Sequence, residues 1–225
     1  MTEIQALQQE MIGCRRCPRL VEWRERVAAQ KRASYADEVY WGRPVPGFGD
    51  PAARLVVIGL APGAHGANRT GRMFTGDRSG DWLYRALYRA GFASQAESVG
   101  RTDGLRLRDV WVTAPVRCAP PANKPTTVER DNCAPWLEAE LALLDRALVF
   151  VCLGGFAWGV VHRMLAAAGT TVPRPRSRFG HGVESITGGP VLIASYHPSQ
   201  QNTLTGRLTE EMFDEVFERA CRHLG

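Results

Sequence analysis

Four short apolar segments, separated by helical patterns, constrain the fold of this chain more than any other feature of its sequence. They lie at 55–60, 110–113, 148–153 and 191–195. A continuous apolar run of this kind is typical of a strand that is buried on both faces. Strands that alternate with helices form a parallel sheet covered by helices on both sides. The sequence therefore predicts an α/β/α fold with a central four-stranded parallel sheet.

The remaining patterns predict one domain with a helical N-terminal segment. A chain of 225 residues without repeats or low-complexity tracts fits a single domain over 1–225. In the N-terminal segment, 1–53, a capping box at Thr2 predicts a first helix, and Pro18 is placed to begin a second. The stretch 41–53 is rich in proline and glycine, and it predicts a connecting loop.

Composition and charge narrow the class of protein. A hydrophobic share of 44% and a charged share of 23% are typical of a globular protein rather than a disordered one. No apolar run is long enough to cross a bilayer, and no secretion signal is visible, so we expect a cytoplasmic protein with no membrane partner. The net charge of +5, supplied almost entirely by arginine, is compatible with nucleic-acid binding but does not require it.

Four of the six cysteines form a pattern that suits a metal centre. Cys152 and Cys221 lie in apolar surroundings and are interpreted as small buried side chains. The other four have C-x2-C and C-x14-C spacing, and they are Cys14, Cys17, Cys118 and Cys133. Four thiolates can hold a tetrahedral zinc ion or an iron–sulfur cluster, and unrelated free thiols are the third possibility. In the first two cases we expect the centre to clamp the N-terminal segment onto the sheet rather than to perform redox chemistry.

The loop after the first apolar segment, 59–77, is the most unusual stretch of the chain. It holds five glycines in nineteen residues, so its backbone can approach a ligand closely. Arg69 and Arg72 could contact phosphates, and Phe74 is an unusual residue for a polar loop unless its ring stacks on something flat. Asp77 is the only carboxylate of the loop, and capping the next helix is its alternative role. The loop matches neither a phosphate-binding nor a dinucleotide-binding motif.

The loop after the last apolar segment carries a second set of polar residues. His197 follows the strand end, where ligands bind in parallel sheets, and the proline after it restricts the backbone. Gln201 can form hydrogen bonds beside it. Leu204 is an apolar residue that either anchors the loop to the core or fills the space left by an extruded base.

Together the two loops resemble those of uracil-DNA glycosylases, in particular the family 5, type B branch that carries an iron–sulfur cluster. The resemblance rests on GLAPGAHG with NRTGRMFTGD at 59–77 and on HPS with TGRLT at 197–209. The cysteine pattern and PPANKPT at 120–126 agree with it, and it extends over nearly the whole chain. It implies a 4Fe-4S cluster held by Cys14, Cys17, Cys118 and Cys133.

The resemblance also implies roles for the residues of both loops. The implied catalytic residues are Asp77, His197 and Asn123. The implied base-binding residues, with Phe74 as the stacking surface, are Gly59, Ala61, Gly63 and Phe74. The implied DNA-binding residues are Arg69, Arg72, Gln201, Leu204 and Arg207. The expected partner is uracil-containing DNA, double-stranded and also single-stranded, bound by a monomer.

One departure from the wider superfamily bears on specificity. Classical members place a carboxylate or amide before the proline of the first motif to direct water, whereas this chain has Ala61, as the type B branch does. Asp77 is then the implied replacement, and we expect looser discrimination, with hypoxanthine removed as well as uracil. Two alternatives stay open: the narrower type A branch, which Leu60 in place of a glutamate argues against, and a cluster-bearing DNA-binding module without catalysis.

Overall fold

The computed structural model describes all residues, 1–225, and it contains the expected parallel sheet extended at both edges. The six strands are β1 (Phe48–Gly49), β2 (Leu55–Ile58), β3 (Val110–Thr113), β4 (Val149–Leu153), β5 (Glu184–Ser185) and β6 (Val191–Ser195). They lie in the order β1-β3-β2-β4-β6-β5. The four central strands are parallel, as the sequence predicts, and the two edge strands are antiparallel.

The edge strands correct the expectation of a sheet with only four strands. Strand β1 lies inside 41–53, the segment interpreted as a loop, and it pairs Phe48 with Val112. Each edge strand has only two residues, too few to show any alternation of apolar and polar side chains. Short edge strands of this kind also limit pairing with other chains.

Helices cover both faces of the sheet. They are α1 (Glu3–Ile12), α2 (Pro18–Gln30), α3 (Ala67–Thr70), α4 (Arg78–Arg89), α5 (Thr127–Ala142), α6 (Gly155–Ala167), α7 (Gln200–Leu204) and α8 (Glu210–Leu224). The capping boxes at Thr2 and Thr126 are both formed. The short helices α3 and α7 lie within the two loops that carry the candidate site. None of the helices combines the length and the hydropathy needed to span a membrane.

The core has two layers, one on each face of the sheet. Side chains alternate between the faces, so Leu55 and Val57 of β2 pack towards α4 and α8, whereas Val56 and Ile58 pack towards α6. Cys152 is fully buried as expected, and Cys221 is half-buried at the margin of the first layer.

A buried ion pair fixes α5 to the end of β3. Arg117 donates two hydrogen bonds to Glu140, at 2.7 and 3.1 Å, and both side chains are almost completely buried. The Thr113 hydroxyl donates to the same carboxylate. Because Arg117 precedes Cys118, this pair also determines where that cysteine lies.

We expect Glu140→Ala to lower the free energy of unfolding by about 3–5 kcal/mol, because it leaves the Arg117 guanidinium buried without a partner. The measurement is denaturant unfolding at constant metal content. Glu22→Ala is the control, since it breaks an exposed pair with Arg26 and should change stability by less than about 1 kcal/mol. Equal effects of the two variants would contradict this account.

Candidate active site

A cavity of about 410 Å³ opens where the loops after β2 and β6 meet. Both loops follow the carboxyl ends of parallel strands, so the sheet brings them to the same edge although they are far apart in sequence. Six of the predicted site residues line this one cavity: Ala61, Gly63, Phe74, Asp77, Asn123 and His197. The cavity is not the largest in the molecule, but it is the one where the two unusual loops converge.

Phe74 presents its ring to the cavity because Gly59 has no side chain. A Cβ atom on Gly59 would lie 2.6 Å from two carbon atoms of the ring, so any larger residue would displace it. The backbone of Phe74 has a φ of 51°, in the left-handed region that non-glycine residues seldom adopt. The ring centroids of Phe74 and His197 are 5.8 Å apart with planes inclined by 28°. Two flat faces therefore border the cavity.

Asp77 serves as the N-cap of α4 and also directs an oxygen towards the first loop. Its Oδ1 accepts a hydrogen bond of 3.1 Å from the Gly80 amide. Its Oδ2 lies against two glycines: a Cβ on Gly63 would be 2.8 Å away, and a Cβ on Gly66 would overlap it. The capping role and the functional role predicted from the sequence are thus compatible. Burial raises the pKa of the Asp77 carboxyl, and the hydrogen bond from Gly80 opposes that shift.

His197 carries a neutral imidazole at neutral pH. Burial of its ring lowers the pKa to about 4. Its backbone carbonyl accepts a hydrogen bond of 2.8 Å from the Asn202 side chain, and the buried Pro198 follows it. These contacts fix the backbone of His197. Its neutral ring has one N–H, which can be donated to a ligand.

Asn123 reaches the cavity from a tight turn. Ala122 and Asn123 have φ values of 52° and 56°, so two successive residues adopt the left-handed conformation. Asparagine tolerates this conformation better than most residues. The Asn123 side chain is exposed at the rim of the cavity.

Comparison with known proteins identifies the family. Residues 46–221 match the model of the Uracil DNA glycosylase superfamily, a range that includes the whole sheet and both loops. This chain belongs to that superfamily.

The similarity to the type-5 relatives extends along nearly the entire chain. The type-5 uracil-DNA glycosylase of Mycobacterium tuberculosis is 58% identical over 214 residues, which cover 94% of this chain and 78% of that protein. The type-5 enzyme of Thermus thermophilus is 53% identical over 98% of both chains. A type-4 uracil-DNA glycosylase of Archaeoglobus fulgidus is 32% identical over 69% of this chain and 70% of its own. The greater identity to type-5 proteins confirms the resemblance to family 5.

Two arginines of the loop 59–77 are placed differently from the sequence-based expectation. Arg69 pairs with Glu38 and donates to the carbonyls of His65 and Gly76, at 2.7 and 2.9 Å. Arg72 is paired with Asp103 in a similar manner. Both are nearly buried, so the prediction that they contact phosphates is wrong.

The reason is that both arginines serve hydrogen bonds inside the protein: Arg69 satisfies two carbonyls of the loop, and Arg72 binds side chains. Arg72 also donates to Thr75 and Ser98, each at 2.9 Å, and its guanidinium lies over the Phe48 ring. A turn-rich loop leaves many backbone acceptors unpaired, and a buried guanidinium can satisfy several at once. Arg69 and Arg72 therefore hold Phe74 and Asp77 in place.

The other predicted DNA-binding residues lie on the surface. Leu204, at the end of α7, is 62% exposed, which rules out the alternative that it anchors the loop in the core. Gln201 and Arg207 are exposed as well, and the Arg207 guanidinium lies 4.6 Å from the centre of the Tyr196 ring. Their contact with DNA stays a prediction.

The sequence analysis missed Arg78. This exposed residue lines the cavity, and its Nε donates a hydrogen bond of 3.2 Å to Thr203 of α7. It has no carboxylate partner, unlike Arg85 and Arg89 of the same helix. Its position next to Asp77 was the signal that could have identified it.

The four cysteines of the predicted metal centre line a single cavity, although about 100 residues separate the two pairs. Nitrogen donors point at three of the sulfurs: Arg24 Nη1 at 2.8 Å from Cys118, the Arg117 amide at 3.3 Å from Cys133, and Asn132 at 3.7 Å from Cys17. Such donors are typical of thiolates that carry negative charge at a metal centre. The residues present therefore fit a thiolate-bound group.

Four thiolates suit either one tetrahedral zinc ion or a 4Fe-4S cluster. A 4Fe-4S cluster binds each cysteine to a different iron and so spreads its ligands further apart. Burial raises the pKa of Cys118 to about 12 and that of Cys133 to about 11, so a bound cation would be needed to make them thiolates.

The cysteine centre and the cavity lie back to back. Leu20, Val116 and Cys118 form a small buried cluster, and Ala61 of the glycosylase loop packs against it. The Val116 amide also donates to the Leu60 carbonyl, at 3.4 Å. A change at the cysteine centre can therefore displace the backbone that borders the cavity.

The pKa of His197 generates a prediction on pH. Because folding lowers this pKa from an ordinary value near 6.5 to about 4, the unfolded chain takes up the proton first as pH falls. The contribution of His197 to stability should be complete above about pH 6.5 and should decrease as pH falls towards 4. NMR titration of the His197 ring measures the pKa, and His197→Gln should remove this part of the pH dependence. A ring that titrates near 6.5 would contradict the prediction.

Proposed function

We propose that this chain is a DNA-repair glycosylase that takes uracil out of DNA and hydrolyses its N-glycosidic bond, leaving an abasic site. One observation carries the proposal: a chain of the uracil DNA glycosylase superfamily places Phe74, Asp77 and His197 around one cavity. The type-5 relatives at 58% and 53% identity support it.

The base would be bound by stacking and by backbone groups. Phe74 offers a flat face, and a base extruded from the duplex gains stacking energy on an aromatic ring. The backbone of Ala61 and Gly63, which line the cavity, would read the edge of the base. Gly59 does not line the cavity: it lies behind the Phe74 ring, and its amide donates to the Thr113 carbonyl at 2.9 Å. Leu204 would occupy the space that the base leaves in the duplex.

His197 would stabilise the leaving base. When the glycosidic bond breaks, the electron pair goes to the base, and negative charge develops on its ring and exocyclic oxygen. A neutral imidazole that donates its N–H to that oxygen stabilises the charge without transferring a proton. The low pKa of His197 supports this role because the ring stays neutral at neutral pH.

Asp77 would act on the sugar side of the bond. As the base leaves, the sugar becomes cationic, and water adds to the same carbon while losing a proton. A carboxylate at this position can stabilise the cation or orient the water. Gly63 and Gly66 support the assignment, because they allow the Asp77 oxygen to approach the loop. Asn123 would assist at the rim.

The range of substrates should be broad. Ala61 offers no side-chain hydrogen bond to discriminate among bases, so we propose that hypoxanthine is removed as well. The proposed partner is double-stranded and single-stranded DNA in the cytoplasm, contacted by Gln201, Arg207 and Arg78. One chain supplies every group of the cavity, so a monomer suffices.

Asp77→Asn tests the function and the role of the carboxylate together. Asparagine still caps α4, so stability should be kept, whereas activity should fall by about 10²–10⁴-fold because the negative charge is lost. The measurement is strand cleavage by alkali after incubation with oligonucleotides that contain one uracil or one hypoxanthine. Asp81→Asn, which removes an exposed carboxylate of the same helix, is the control.

The outcomes separate the alternatives. If the wild-type chain produces no breaks at either base, the glycosylase proposal fails and the non-catalytic DNA-binding module is favoured. If breaks appear and Asp77→Asn equals the wild type, the activity stands and Asp77 has another role. Breaks at uracil alone would refute only the proposed removal of hypoxanthine.

We also propose that Cys14, Cys17, Cys118 and Cys133 hold a 4Fe-4S cluster. Two ligands come from the N-terminal segment and two from beyond β3, so the cluster would clamp 1–53 onto the sheet and make 1–225 a single domain. The role is structural, since the redox and radical chemistry of such clusters has no place in hydrolysis.

Anaerobically purified protein should contain about 4 iron and about 4 sulfide per chain, the content of one such cluster. Cys118→Ser should lower the iron content and the melting temperature, because it removes a ligand. Cys221→Ser is the matched control, since Cys221 lies outside the centre and should leave the iron unchanged. Colourless wild-type protein with one zinc per chain would refute the cluster.

A further inference from the structure

Arg24 of α2 is buried against the cysteine centre. Its side chain is only 2% exposed, and its Nη1 lies 2.8 Å from the Cys118 sulfur. Its Nη2 donates to the Cys14 carbonyl, at 3.1 Å, and its Nε has no partner at all. One guanidinium thus contacts both halves of the centre.

The charge of Arg24 is not balanced by any carboxylate in hydrogen-bond contact. The nearest carboxylate is that of Glu25, 3.9 Å away, and Arg15 already binds both of its oxygens. Arg117 is equally buried and its Nε also lacks a partner, but its charge is balanced by two hydrogen bonds to the Glu140 carboxylate. A buried charge without a counter-ion is costly, so Arg24 needs an anion at the position that the cysteines occupy.

We propose that Arg24 supplies the counter-charge of the four-cysteine centre and is a positioning residue for the group bound there. The inference rests on the proposed centre. Four thiolates outweigh the two positive charges of a 4Fe-4S core or of a zinc ion by about two units. The buried guanidinium offsets part of this excess and donates a hydrogen bond to the Cys118 sulfur.

Arg24 also connects the four-cysteine centre to the loop 59–77, which borders the cavity. Its backbone carbonyl accepts a hydrogen bond of 3.3 Å from the buried Asn68, which also donates to the Ala64 carbonyl at 3.4 Å. Asn68 belongs to α3, between the first motif and Phe74. The position of α2 at the metal centre is therefore transmitted directly to the loop that borders the cavity.

The test compares two substitutions that separate charge from hydrogen bonding. Arg24→Gln keeps a donor and removes the charge, whereas Arg24→Lys keeps the charge. We expect Arg24→Gln to release metal to a chelator about 10–100-fold faster than the wild type, and Arg24→Lys to stay closer to the wild type. The cluster's reduction potential should fall in Arg24→Gln, because removing a nearby cation disfavours the added electron. Arg26→Gln, an exposed residue of the same helix, is the control.

Each result supports or overturns the inference. Equal release from the Gln and Lys variants, or release from Arg24→Gln at the wild-type rate, overturns it. If the wild type holds zinc instead of iron, the cluster proposal fails, but zinc release from the same variants still tests Arg24. If the wild type binds no metal, both the cluster proposal and the proposed role of Arg24 are overturned. If Arg24→Gln does not fold, as judged by circular dichroism, the Arg24→Lys variant decides the outcome. This variant keeps the positive charge, so its loss of metal would overturn the role of Arg24.

Discussion

The close approach of side chains to backbone at two glycines is the constraint on which the catalytic cavity depends. Phe74 reaches the cavity only because Gly59 has no Cβ, and the Asp77 carboxylate reaches the first loop only because Gly66 has none. A methyl group at either position would occupy the same space as the ring or the carboxylate. The absence of a Cβ atom at these two glycines therefore positions the ring that would hold the base and the carboxylate that would act on the sugar.

The cysteine centre and the cavity form one mechanical unit. Ala61 packs against the small apolar group of side chains that includes Cys118. The Arg24 backbone carbonyl accepts a hydrogen bond from Asn68 of the loop 59–77. Tight packing transmits small displacements, so the loop cannot adopt its shape independently of the centre behind it. This coupling would give the proposed metal centre a structural role in shaping the cavity, without any part in the hydrolysis.

Burial, rather than arginine content, decides what each arginine does. Arg69 and Arg72 resemble phosphate-binding residues in sequence, yet both are buried and brace the loop. Arg78 and Arg207 are exposed and have no carboxylate partner, which suits contact with a phosphate backbone. The net charge of the chain does not separate these cases, because an arginine inside a loop and one on its surface contribute equally to it.

The sequence by itself determined the parallel sheet, the capped helices and the membership of the two loops in one site. Apolar runs and capping residues are local signals, and the parallel order brings all four strand ends to one edge. Only the tertiary structure decided that Arg69 and Arg72 are buried, that two-residue strands extend the sheet, and that Arg24 faces Cys118. The burial of a side chain and the pairing of strands depend on residues that are far apart in the chain. A local sequence pattern does not indicate which of these distant residues will be in contact.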